Sequence, residues 1–406
     1  MHGATLLDKQ DRPLRPAILW NDGRSEAECE ILEGVTGFRE ISGNLAMPGF
    51  TAPKLLWVRE HEPDVFSKVR RVLLPKDYLR LRMTGEAATD LSDAAGTLWL
   101  DVSKRAWSEK LLEATGLTLE AMPALFEGTE TTGRLRSGIA RAWGMGRVAV
   151  AAGAGDQAAG ALGVGVVSSG EASLSLGTSG VLFVASDSFQ ANPDRAVHAF
   201  CHCIPETWHQ MSVILSAASC LSWVSQLVGA KDEQELLGEI ETADRLNESL
   251  IFLPYLSGER TPHNDPHATG TFVGLDHETD RAALGRAVLE GVAFAFADAQ
   301  EALLSAGTPI DTVSVIGGGA RSQLWGRIMA SVLDRPLTYR AGGEIGPAQG
   351  AARLGRLAVT GELPRDVCTP PPVAFEVEPD AVLRDHYSAR IERYRELYSR
   401  LRGVFR

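Results

Sequence analysis

The sequence predicts an α/β protein of two units, and three observations carry that expectation. Short apolar runs of strand character alternate with amphipathic helical patterns along the 406 residues. Glycines stand at the corners between them, as in "AGAGDQAAGALG", "SLGTSG" and "GGGARSQLW". The same grammar restarts after Gly165. The expected units are therefore 1–165 and 166–406.

The elements follow in order. "ATLLDKQDRPLRPAILW" reads as two strands around a polar turn, with Asp11, Arg12 and Pro13 as breakers. Helical patterns run over Arg24–Gly34 and Pro53–His61, separated by the loop "ISGNLAMPGF". "RRVLLPKDYLRLRMTG" is a buried strand and then a helix that starts near Pro75. Ser108–Gly116 and Gly138–Trp143 read as helices. "RVAVAAGAGDQAAGALGVGVV" is a strand, a tight turn and an alanine-rich helix.

In the second unit, "EASLSLGTSGVLFVAS" is strand, turn, strand, and "RAVHAFCHC" and "TWHQMSVILS" are two further strands. Helices are expected at Ala218–Leu227 and Glu233–Thr242, and a long one ends at Gly307. "TVSVIGGGARSQLWGRIMASVLD" is a strand, a triple glycine and a helix. Gly346 heads another helix, and an amphipathic helix closes the chain.

Composition narrows the function. A net charge of −12 argues against nucleic acid or an anionic membrane as a partner, since both require basic surface. No apolar run reaches the roughly 18 residues of a membrane-spanning helix. Five cysteines, an odd number with no disulfide spacing, suit a reducing cytoplasm.

Three features bear on chemistry. At Ser175–Gly180, Gly177 and Gly180 permit a positive φ, and consecutive N–H groups in such a turn cradle anions; an ordinary hairpin would look the same. Gly317–Gly319 follows a strand and heads a helix, which suits close approach of a nucleotide or a plain tight turn. Asp156 stands at a helix head among small neighbours. It reads equally as an N-cap or as an ionised base beside an anion-binding turn, the arrangement that phosphoryl transfer to a hydroxyl requires. His198, Cys201, His202, Cys203 and His209 are metal-ligand types, but their spacing fits no metal motif. "SGERTPHNDP", with Glu259, Arg260 and His263, reads as a surface loop, or as the lining of a cleft.

Together these stretches resemble the FGGY carbohydrate kinases, over essentially the whole chain. "GFTAPKLLWVREHEP", with Lys54 and Trp57, resembles the first family signature. "GTFVGLDHETDRAALGRAVLEG" resembles the second, although Ala283 replaces a polar residue. "MHGATLL", "ILWNDGR", "SDAAGTLWLDV", "YLSGERTPHNDP" and "GGGARSQLW" are similar to the branch that phosphorylates xylulose. The resemblance implies two actin-like (ribonuclease H-like) domains, each around a mixed five-stranded core, with a cleft between them. It implies ATP and Mg²⁺ as cofactors and D-xylulose as substrate, giving D-xylulose 5-phosphate. Asp156 would be the catalytic base. Met1, His2 and Gln157 would bind the sugar. Gly177 and Thr178 would hold phosphate, and Gly319 and Gln323 the adenosine. No residue is implied for the metal. A homodimer is compatible with the acidic surface and the tail helix. Ribulose, glycerol or gluconate as substrate, or a non-catalytic nucleotide-binding role, are the alternatives.

The family pattern begins with a D-x-G-T-S strand and turn that is not found within these residues. The expectation is a first domain incomplete at its amino end, and impaired turnover by the chain as given.

Overall fold

The structure, a computed structural model, describes residues 1–243, 246, 248–341 and 346–405. In the first half, β1 (Thr5–Leu7) is followed by α1 (Thr51–His61) and β2 (Arg71–Leu73), and β1 and β2 pair antiparallel. Next come α2 (Pro75–Thr84), β3 (Ala88–Asp90), the short helix α3 (Leu91–Ala95) and β4 (Ala124–Phe126), with β3 and β4 parallel. β5 (Thr131–Arg134) and β6 (Ala149–Ala151) form an antiparallel pair that leads into α4 (Asp156–Gly163).

The second half opens with β7 (Glu171–Leu176), β8 (Gly180–Ser186), β9 (His198–Cys201) and β10 (Trp208–Ile214). Helices α5 (Ala218–Leu227), α6 (Glu233–Ala243) and α7 (Arg281–Leu304) follow, then β11 (Thr312–Ile316), α8 (Gln323–Leu333) and β12 (Leu337–Arg340). α9 (Gly346–Thr360), β13 (Val373–Val377) and α10 (Ala381–Leu401) complete the chain. One mixed sheet runs in the order β9-β10-β8-β7-β11-β12-β13. Its inner five strands are the core that the resemblance implied. β9 and β13 pair antiparallel onto the two edges of that core, which removes open hydrogen-bonding groups there. Among the described residues of the first half, strands occur only as two-stranded pairs, so the five-stranded core expected in that half is not formed there.

The two halves share a core. Phe50, Leu55 and Trp99 belong to one apolar cluster with Phe200, Cys201 and Met211 of the second half. All five cysteines are free and buried, and no described helix is long and apolar enough to cross a membrane.

The bare helix α4 is explained by packing. A Cβ on Gly163 would lie 1.8 Å from the Gly346 carbonyl oxygen, and one on Gly350 would lie 1.8 Å from that of Ala159. α4 and α9 thus meet backbone to backbone. Arg353 on α9 also donates to the Leu162 and Gly163 carbonyls at 2.7 and 3.0 Å, satisfying groups that a helix end leaves open.

The loop expected at the surface around Glu259 lies inside instead. Glu259 is buried, and its Oε1 accepts from the N–H groups of Leu215 and Arg260 at 2.9 and 2.8 Å. His263 stacks on Tyr398 of α10 at 3.6 Å. The tail helix covers this loop, a long-range contact that the local polarity of "SGERTPHNDP" does not reveal. Burial raises the Glu259 carboxyl to about 8, against the pull of its two N–H donors.

Two predictions follow from this packing. Gly350→Ala must push α4 and α9 apart and should cost about 1–3 kcal/mol. Gly355→Ala, on the same helix with open space around it, should instead gain about 0.4–1 kcal/mol. Denaturant titration of the two variants distinguishes them, and equal effects would contradict the crossing. Glu259, with its pKa raised in the fold, adds stability that is full below its unfolded value near 4.5 and lost as pH rises through 8. Glu259→Gln should therefore melt progressively higher relative to the parent from about pH 5 to about pH 9. A difference that does not change with pH would contradict this.

Candidate active site

Asp156 is the first residue of α4, and Gly155, not Asp156, occupies the N-cap position. The capping alternative is therefore not realised. Among the described residues the Asp156 carboxylate has no hydrogen-bond or ion-pair partner, and it is exposed.

The helix head is held from below by a buried polar chain. The Gly155 N–H donates to Ser92 Oγ at 2.9 Å, and Ser92 Oγ donates to Asp90. Asp90 also caps α3 by accepting from the N–H groups of Ser92 and Asp93. Lys76 Nζ lies against Asp90 and, at 2.7 Å, Asp77. Burial works against the Lys76 ammonium, yet the carboxylates of Asp77, Asp90 and Asp93 raise its pKa. Asp93 is pushed up to about 7 by burial, with Lys76 opposing and Asp90 and Asp77 adding.

Met1 and His2 reach the same region. The Asp156 N–H lies 3.2 Å from Met1 Sδ. His2 takes a left-handed φ of 47°, unusual for a non-glycine residue. Its Nδ1 is 3.0 Å from the Gly96 carbonyl oxygen. A carbonyl only accepts, so Nδ1 carries the proton and Nε2 is left as an acceptor. A Cβ on Gly96 would lie 1.7 Å from the His2 ring, so glycine is required there. Burial holds His2 down to about 3. The ring also packs near Phe50 and Phe200, at 5.5 and 6.1 Å between centroids. Lys54 shapes this wall: fully buried, it donates to the Pro48 and Phe50 carbonyls at 2.6 and 2.7 Å, and burial lowers it to about 8.

Two chambers adjoin above α4. The first, of about 480 Å³, is lined by Asp156 and Gln157 on one side and by Ser173, Ser175, Val181 and Gly317 on the other. The second, of about 880 Å³, is lined by Gly177, Thr178, Trp223, Gly319 and Trp325. Gly318 and Arg321 line both. The larger volume lies in the range of small-molecule and cofactor pockets.

The glycine turns work differently from the expectation. Neither Gly177 nor Gly180 takes a positive φ. Gly180 is required because a Cβ there would lie 2.6 Å from Phe296. The Thr178 carbonyl is taken by the Ala217 N–H and Ser219 Oγ. Thr178 and Ser179 are exposed, and their N–H groups find no acceptor among the described residues, which keeps the anion-cradle reading. Gly317 does have a positive φ of 97°, and Cβ atoms on Gly317 and Gly319 would lie 2.8 and 2.6 Å from Leu176. These two glycines press the third turn against the first, and Gly318 keeps open space.

Asp156 and Gln157 therefore face one chamber, and Gly177, Thr178 and Gly319 face its neighbour. Gln323 is exposed at the head of α8 and is not among the lining residues of either. Sequence reasoning missed Ser92, Asp90 and Arg321. Arg321 directly follows the triple glycine, and a charged side chain at that corner was the available signal. Among the described residues no group of three metal-ligand side chains comes together.

A model of the N-terminal domain of the FGGY family of carbohydrate kinases matches residues 1–163, and one of its C-terminal domain matches 172–359. The chain is 54% identical to the xylulose kinase of Escherichia coli (strain K12) over 403 residues, 99% of this chain and 83% of that protein. It is 52% identical to the xylulose kinase of Klebsiella pneumoniae, over 100% of this chain and 84% of that one. The crystal structure of a xyloylose kinase from Brucella ovis superposes with a TM-score of 0.95 at 53% identity, covering 100% of this chain and 84% of that one. With both halves matched and the two-domain architecture shared, the chain belongs to the FGGY family of carbohydrate kinases.

Proposed function

We propose that the protein transfers the γ-phosphoryl group of ATP to the terminal hydroxyl of D-xylulose, giving D-xylulose 5-phosphate and ADP. Residues 1–165 carry the sugar site and the base, and 166–406 carry the nucleotide site. The observation that supports this best is the uncommitted Asp156 carboxylate in a chamber that opens onto the turn bearing Thr178. The hydroxyl oxygen bonds to the γ-phosphorus as the bond to the β,γ-bridging oxygen breaks. The hydroxyl proton passes to Asp156, and ADP leaves with the bridging oxygen. Gln157, Met1 and the acceptor nitrogen of His2 orient the sugar. The N–H groups of Thr178 and Ser179 face the phosphate, and Gly177 and Gly319 line the nucleotide chamber. Gln323 would reach adenosine only by reorienting from its exposed position.

Mg²⁺ bound to ATP keeps several waters and needs one or two carboxylates. Asp156 is committed to the proton, so the hydroxyls of Ser173 and Ser175 around the smaller chamber would meet the waters of a metal that arrives on the nucleotide. When bound, it neutralises charge on the phosphates. α10 turns Tyr387, Tyr394 and Tyr398 into its own chain, so only its opposite face is open to a homodimer.

Asp156→Asn should lower kcat by about 10²–10⁴-fold, the usual share of a positioned base, and leave xylulose and ADP affinities unchanged. A coupled ADP-release assay with calorimetry checks both, and retention of more than about a tenth of the rate removes Asp156 from the role. In the same assay D-xylulose should show a higher kcat/KM than ribulose, glycerol or gluconate. A better rival would replace xylulose as the substrate.

A further inference from the structure

We infer that Arg321 grips the phosphate chain of the nucleotide at the junction of the two chambers and acts as a catalytic residue of the transfer. This rests on the chamber assignment made above. The starting point is charge. The chain is acidic overall, with a net charge of −12, and its nucleotide is a polyanion. Among the described residues that line either chamber, Arg321 is the one lysine or arginine; Asp156 and Glu233 are the acids. Without Arg321, the described side chains would offer a polyanion no positive charge.

Its place matches the need. Arg321 is the last residue of the short turn Gly318–Arg321. That turn is pinned on both sides. Gly317 and Gly319 press on Leu176, and Ser322 caps α8 by accepting from the Trp325 N–H at 3.2 Å. Arg321 borders the larger chamber, assigned to adenosine, and the smaller one, which holds Asp156. A nucleotide lying across both would pass its phosphates by this side chain. The guanidinium is planar and always charged, and it binds phosphate oxygens in pairs. In phosphoryl transfer, charge grows on the leaving oxygen between the β- and γ-phosphates. A guanidinium there stabilises that charge more than it stabilises bound ATP. It takes part in no proton transfer: the hydroxyl proton still goes to Asp156.

The test titrates ADP and adenosine by calorimetry into the parent protein, Arg321→Ala, Arg321→Lys and Ser222→Trp. The Arg321 side chain is exposed, so Arg321→Ala should fold, and its melting is compared with the parent's. The expected result is ADP binding weakened by about ten- to one-hundred-fold in Arg321→Ala, with adenosine unchanged. Arg321→Lys should recover part of the ADP affinity and less of kcat, because it keeps the charge without the paired donors. ADP affinity within about two-fold of the parent in Arg321→Ala, or an equal loss for adenosine, overturns the role. Ser222 lines only the larger chamber, and Ser222→Trp should fill it and abolish adenosine binding. Adenosine that still binds Ser222→Trp overturns the chamber assignment and Arg321's role with it. Adenosine lost there, with ADP unaffected in Arg321→Ala, overturns the role alone.

Discussion

Two helices that touch backbone to backbone set the geometry of this molecule. α4 belongs to the first half and α9 to the second, and between Gly163 and Gly346, and between Ala159 and Gly350, there is no room for a side chain. Such contacts are steep, because close-packed atoms do not yield gradually. Arg353 then ties the far end of α4 through the carbonyls of Leu162 and Gly163. The near end of α4 carries Asp156. Its position relative to the second half is therefore fixed by the crossing rather than by its own side chain, which bonds to nothing within the described chain. The small residues after Asp156 serve two ends: Ala159 and Gly163 admit a second helix, and Gly160 and Ala161 line the smaller chamber beside Asp156.

The crossing works with two other supports. Under the helix tip, the Gly155 N–H rests on Ser92, Ser92 on Asp90, and Asp90 beside Lys76. The Asp90 and Asp77 carboxylates lie away from water, where an unpaired charge is costly, and the half-buried Lys76 ammonium compensates them. The cluster therefore holds together as a set and keeps Asp156 at a constant height. Across the halves, Phe50, His198 and Phe200 stack or meet edge to face within 6.0 Å of one another. His198 stays neutral there, chiefly through burial and then through the nearby Arg260. An uncharged aromatic seam lets two halves meet closely without a desolvation cost at neutral pH.

Local signals in the sequence were sufficient for much of this. Alternating apolar runs around "SLGTSG" and "GGG" marked β7, β8 and β11, and the Asp156 helix was legible from its strand, turn and alanines. What was not legible depends on residues far apart in the chain. Nothing near Gly163 announces Gly346, and nothing near Glu259 announces Tyr398 on the tail helix. Single glycines also carry packing roles that no local signal announces: Gly180 makes room for Phe296, and Gly317 and Gly319 for Leu176, while Gly317 and Gly319 also line the two chambers. Motif resemblance carried the site further than physics alone, but it passed over Arg321, whose importance appears only when both chambers are seen to share it.

The most direct measurement is a structure of the enzyme with D-xylulose and a non-hydrolysable ATP analogue bound together. The account requires α4 still seated on α9 and an Asp156 carboxylate oxygen within about 2.6–3.2 Å of the sugar's terminal hydroxyl, with that hydroxyl facing the γ-phosphate. A sugar whose terminal hydroxyl is held by another base, with the Asp156 carboxylate turned out of the shared chamber, would contradict it.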